Sequence, residues 1–177
     1  MSSPVLEDSS LERLRALLLE EGGLMASLVS AVRPDGPMPD GPAQLAASGP
    51  RVNGRGADYE LLIETIYEGY LLHYQAPRVV LPREADLGVL AGDRLYALGL
   101  ARLVQLGDVE AVAELADVIT LTALAHGAGN ADLAEAVWGA GARAVGWGAS
   151  ARHDHAKALT RAGSPAALEA MRELAGG

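Results

Sequence analysis

The apolar residues of this 177-residue sequence recur every third or fourth position between helix-capping residues, and nowhere do they alternate in the pattern of a half-buried strand. That periodicity commits the chain to helices. Ser9-Ser10-Leu11-Glu12 is a capping box, and it opens a run carrying Leu11, Leu14, Leu17, Leu18 and Leu24 to about Val32, with Gly22-Gly23 as a break or bend. Asp58 is placed to cap a second helix through about Gln75, ended by Pro77. A third is expected from about Glu84 to Gln105, stopped by Gly107, and a fourth, capped by Asp108, runs to about His126. Asn130 can cap a fifth through about Ser150, in which Gly139, Gly141 and Gly146 imply either an interruption or very close packing on a neighbour. Ser164-Pro165 opens a last helix to about Ala175. The expected fold is all-α, a single-domain bundle of six or seven helices with the third and fourth, apolar nearly all round, at its centre. Residues 33–57 hold Pro34, Pro37, Pro39, Pro42 and Pro50 among several glycines and are expected as a loop or linker.

Composition narrows the chemistry. Half of the residues are hydrophobic and 21% charged, enough apolar surface for one core in a chain of this length. The absence of cysteine removes disulfides, thiolate zinc sites, iron–sulfur ligation and thiol catalysis together. A net charge of −9 argues against nucleic acid or an anionic membrane as partner. The longest uncharged stretch, Val118 to Ala131, is too short to span a bilayer, and no leader-like segment is seen, so a cytoplasmic location is expected. Thirteen arginines against one lysine suggest a GC-rich, bacterial genome.

Candidate sites are few. Carboxylate-bridged metal bundles need a glutamate three residues before a histidine, and none of His73, His126, His153 and His155 has one, so no metal site is expected. Glu60, Glu64 and Glu68 stack on one face of the second helix and are read as solvated surface. His153-Asp154-His155 resembles a metal tract, but the two imidazoles point about 200° apart on a helix, so a surface cluster is expected. Asp93 lies in the most apolar helix and must be paired or exposed in a cavity. With Asp86 and Asp117 it defines a candidate polar pocket. Gly88 and Gly92, one turn apart and followed by Tyr96, define a candidate partner face, because small residues let two backbones approach.

The run Val89-Leu90-Ala91-Gly92-Asp93-Arg94-Leu95-Tyr96-Ala97-Leu98-Gly99-Leu100 resembles the leucine-alanine-glycine-aspartate helix of trans-isoprenyl diphosphate synthases. The preceding Leu62-Ile63-Glu64-Thr65-Ile66-Tyr67-Glu68-Gly69-Tyr70-Leu71-Leu72-His73 is similar to the helix in which that family places a histidine just before its first aspartate-rich motif. Order and approximate spacing agree over residues 60–106. The resemblance implies an isoprenoid-synthase-like helical core. In that family two aspartate-rich clusters hold magnesium, which neutralises a departing diphosphate. Here Tyr74 and Gln75 follow His73, and no paired aspartates occur elsewhere. The resemblance therefore implies a non-catalytic relative without a cofactor, similar to the small component of two-part heptaprenyl diphosphate synthases. Such a component pairs with a catalytic chain and shapes the pocket for a prenyl tail. Two other classes stay open: a ligand-binding or enzymatic bundle around Asp86, Asp93 and Asp117, and a self-associating structural protein.

Overall fold

The computed structural model describes residues 9–30 and 41–176. Among them are nine α-helices: α1 (Ser10–Glu21), α2 (Gly23–Leu28), α3 (Pro42–Ala47), α4 (Gly56–Tyr74), α5 (Ala85–Leu106), α6 (Val109–Gly127), α7 (Ala131–Trp147), α8 (Ala151–Arg161) and α9 (Ala167–Ala175), with a 3₁₀ turn at Pro50–Val52. No strand forms among the described residues, and none of their helices is long and apolar enough to cross a membrane. The all-α reading holds, with more helices than the six or seven expected.

Several boundaries follow from local capping chemistry. Ser9 Oγ accepts from the Glu12 amide, Asp108 Oδ1 from Ala111 and Asn130 Oδ1 from Leu133, each satisfying an orphan N–H of a first turn. Gly107 ends α5 in the left-handed conformation, with φ of 79°. Two expectations need correction. Asp58 caps nothing, since α4 begins two residues earlier at Gly56, and α7 ends at Trp147, leaving Ser150 to cap α8. The Gly22-Gly23 break does occur, and it separates α1 from α2.

The segment expected as a linker is not uniformly irregular. Residues 33–40 lie outside the described residues, but Pro42 opens α3 at a position where a missing N–H costs nothing. The Gln44 side chain accepts from the Gly41 amide at 2.9 Å, and Ala43 and Ala46 are buried. Proline and glycine here begin and end a short helix that lies against α4 and α7.

The centre of the bundle is α4 and α7, not α5 and α6 as expected. Leu62, Ile63, Ile66 and Tyr70 of α4 share one core cluster with Ala134, Val137 and Trp138 of α7, Leu115, Val118 and Leu121 of α6 and Met171 of α9. A second cluster joins Leu11, Leu14 and Leu18 of α1 to Met25, Val80 and Leu95. Each such buried aliphatic side chain contributes about 1.5–3 kcal/mol. Helix α5 buries Ala91, Leu95 and Leu103 and presses closely on α4 through glycines: a Cβ at Gly99 would lie 2.4 Å from Ile66 Cγ1, and one at Gly92 would lie 2.7 Å from His73 Nε2. Its bulk points outward, with Val89, Leu90 and Val104 at least half exposed. In α7 the glycines mark close packing rather than interruption, since a Cβ at Gly141 would meet Val118 Cγ2 at 2.2 Å.

Candidate functional site

The two segments that carry the family resemblance pack side by side, α4 against α5, and the C-terminal end of α4 is where their chemistry concentrates. Tyr67, Tyr70 and Tyr74 recur at helical spacing and share one face. Tyr67 and Tyr70 both meet Trp138 edge-on, with ring centroids 4.9 and 5.5 Å apart. The Trp138 indole N–H has no oxygen or nitrogen acceptor and lies among these aromatic rings instead.

The residues at the helix end are engaged in ring stacks and hydrogen bonds with α5 and α6. Tyr74 stacks on His126 of α6, centroids 4.2 Å apart and planes 4° from parallel. The Tyr70 hydroxyl lies 2.9 Å from His126 Nε2 and accepts a hydrogen bond from Gln75 Nε2 at 3.2 Å. His73 turns the other way, stacking on Tyr96 of α5 with centroids 5.3 Å apart. Its Nε2 sits 3.2 Å from Asp93 Oδ1, without the alignment of a hydrogen bond. Burial pushes the Tyr70 phenol up to about 12, and burial likewise raises Tyr67 and Tyr96. Neutral phenols of this kind stack and hydrogen-bond; they supply no base near pH 7.

The glutamate row of α4 is a second, unforeseen constellation. Its i,i+4 spacing predicts a solvated surface, yet Glu64 is 3% and Glu68 0% exposed. Glu68 Oε1 accepts from the backbone amides of Arg78, Val79 and Val80 at 2.7, 2.6 and 3.1 Å, while Oε2 takes Arg78 Nε at 3.2 Å. Glu64 Oε2 binds the same guanidinium at 2.5 Å, and its Oε1 accepts from Ser10 and Gln44. Glu60 receives Arg13 and Gln44. Burial opposes the charge on Arg78, but Glu64 and Glu68 outweigh it and hold its pKa above the ordinary value. The row therefore fastens α1, α3 and the α4–α5 connection onto α4. One sequence signal could have revealed it: α4 carries four acids, Asp58, Glu60, Glu64 and Glu68, with no Lys or Arg to pair them in the same helix.

A third set joins α8 to α6. His153 Nε2 lies 2.6 Å from Glu114 Oε1, Lys157 reaches Glu114 and Asp117 at 2.9 Å each, and Arg161 reaches Asp117 at 2.6 Å. His153 is buried and His155 exposed, so the tract works through one imidazole only. Burial disfavours charge on Lys157 and on Asp117, but their mutual hydrogen bond and the neighbouring Glu114 and Arg161 prevail, raising the first and lowering the second. A half-open groove of about 350 Å³ beside this set is lined by Arg51, Glu110, Glu114 and Lys157, all committed to ion pairs.

The aspartates read as a pocket are placed apart. Asp86 is exposed in the first turn of α5, Asp93 meets His73, and Asp117 serves the α6–α8 contact. No group of three metal-ligating side chains is gathered among the described residues. Gly88, Gly92 and Tyr96 do line a helix contact, but its occupant is this chain: Gly88 lies against Pro82, and Gly92 and Tyr96 against α4.

The class defined by these features is an all-α bundle whose polar interior is consumed by structural pairing. No family model, curated protein or solved structure matches the chain.

Proposed function

We propose that this chain is a non-catalytic helical subunit of the isoprenyl diphosphate synthase type, acting by contact with a partner chain that performs the chemistry. The observation that carries the reading is the end of α4. At the two positions where the resembling family would continue into its first metal-binding aspartates, Tyr74 is stacked on His126 and Gln75 is hydrogen-bonded to Tyr70. Neither side chain offers an anionic oxygen, and both are engaged, so the residues present do not fit magnesium. His73 and Asp93, the polar residues of the two resembling segments, face each other instead. The end of α4 is thus a stacked, hydrogen-bonded plug that stiffens the α4–α5–α6 junction.

A subunit of this kind would contribute surface, and a wall for a prenyl or other apolar tail, rather than reacting groups. The test is to tag the chain, purify it from its own cells and assay the material for prenyl transfer. The expected product is a stoichiometric complex with a chain bearing two aspartate-rich motifs, active together and inactive when this chain is stripped away. Recovery of this chain alone, with prenyl-transfer activity of its own, would contradict the reading.

A further inference from the structure

Among the described helices, α8 is the one that buries a single apolar side chain, Ala156. Leu159 is only partly buried, and the Thr160 hydroxyl is spent on the Ala156 carbonyl of its own helix at 2.9 Å. Helix α8 packs on α6 and α9. Its contact with α6 is made of charge: His153 and Lys157 converge on Glu114, and Lys157 and Arg161 on Asp117. Toward α9 it sets the exposed Arg152–Glu173 pair, which contributes little in water. Ion pairs taken out of water regain in mutual attraction roughly what they lose in hydration, so such a contact is well defined in geometry but weak in net hold. By contrast, Ile63, Ile66 and Tyr70 of α4 and Trp138 of α7 are almost completely buried. Both ends of α8 turn on glycines at positive φ, Gly148 at 94° and Gly163 at 64°, and a Cβ at either would meet nothing within 4 Å. The chain can bend at both without collision.

We propose that α8 is a strap that lifts from α6 about Gly148 and Gly163 while the rest of the bundle stays folded. Lys157, the single lysine of the chain, is its latch, because this one ammonium bridges Glu114 and Asp117 at 2.9 Å each. Once lifted, 11 residues are too few to remain helical in water, and the separated charges recover their hydration. Opening changes one region in particular. Lys157 leaves the wall of the groove of about 350 Å³, and Glu114, buried beside Gly141 of α7, becomes an open acid next to Asp117. Neutralising either side of the latch favours opening, since it leaves an uncompensated buried charge in the closed form alone.

Strap opening does not depend on whether the chain is an accessory subunit, and either can hold without the other. Native-state hydrogen exchange of the full chain, in water and in mild urea, is the test. The hydrogen-bonded amides of α8 should exchange at least about 100-fold faster than those of α4 and α7, with a shallower urea dependence because little surface is exposed. Glu114→Gln and, at the partly exposed end of the cluster, Asp117→Asn should each speed α8 by about 10-fold and leave α4 and α7 unchanged. The single lysine permits a second reading of the same motion. Acetic anhydride should modify Lys157 at a rate that rises with urea in step with α8 exchange, well before the bundle unfolds. An α8 as protected as α4 and α7, variants that accelerate all three helices by the same factor, or acetylation of Lys157 only on global unfolding would each overturn the strap.

Discussion

Glu68 is the residue on which the connection between α4 and α5 depends. A carboxylate with no exposed surface is tolerable only because three backbone amides and one guanidinium converge on it, replacing its lost hydration. Glu68→Ala is expected to cost about 3–5 kcal/mol, since it leaves those donors unpaired and half of the Arg78 pairing gone. Glu68→Gln keeps one acceptor and should cost less. Urea unfolding measures both, and an alanine variant within about 0.5 kcal/mol of the parent would return this side chain to the surface. Asp108 provides a pH signature. The Arg51 guanidinium, with the Tyr59 hydroxyl and the Ala111 amide, holds its carboxyl down at about 2 against an ordinary 3.8. A depressed folded-state pKa stabilises above the unfolded value and loses that stabilisation as pH falls, here between about 4 and 2. Asp108→Asn should therefore flatten that part of the stability curve, removing on the order of 2 kcal/mol of pH dependence. What hid Glu68 from sequence reasoning is that i,i+4 acids look alike whether solvated or buried. The deciding partner, Arg78, lies beyond the end of the helix.

At the scale of elements, capping was legible and packing was not. Ser9, Asp108, Asn130 and Gly107 act within four residues of themselves, so their neighbours in sequence decide their roles. Which helix becomes central is decided between helices. An outward apolar residue such as Val89 or Leu90 is indistinguishable in sequence from an inward one, which is why the apolar pattern puts α5 deeper than it lies. The glycines of α7 could be read as either interruptions or close contacts, and their neighbours resolve the ambiguity. Gly141→Ala should be destabilising by about 1–3 kcal/mol despite the higher helix propensity of alanine, because its methyl would overlap Val118. Adding Val118→Ala should recover part of that loss by removing the overlapping methyl groups, leaving only the cost of a smaller core residue. Thermal unfolding of the two single variants and the double variant decides it: strictly additive effects would mean that the two helices do not meet there.

For the whole molecule, the all-helical class followed from periodicity, while the candidate site took a different form from any expected. The polar residues that look functional in sequence are spent on holding helices together: Glu64 and Glu68 on Arg78, Glu114 on His153 and Lys157, Asp117 on Lys157 and Arg161. That leaves an end of α4 plugged by Tyr74, His126, Tyr70 and Gln75. On the proposed reading, a chain arranged in this way would give a partner surfaces rather than reacting groups. The most direct measurement is calorimetric titration of the purified full chain with farnesyl diphosphate, with and without magnesium chloride. The expected result is no magnesium-dependent binding at ligand concentrations up to about 1 mM, whereas saturable, magnesium-dependent binding in the micromolar range would contradict the non-catalytic reading.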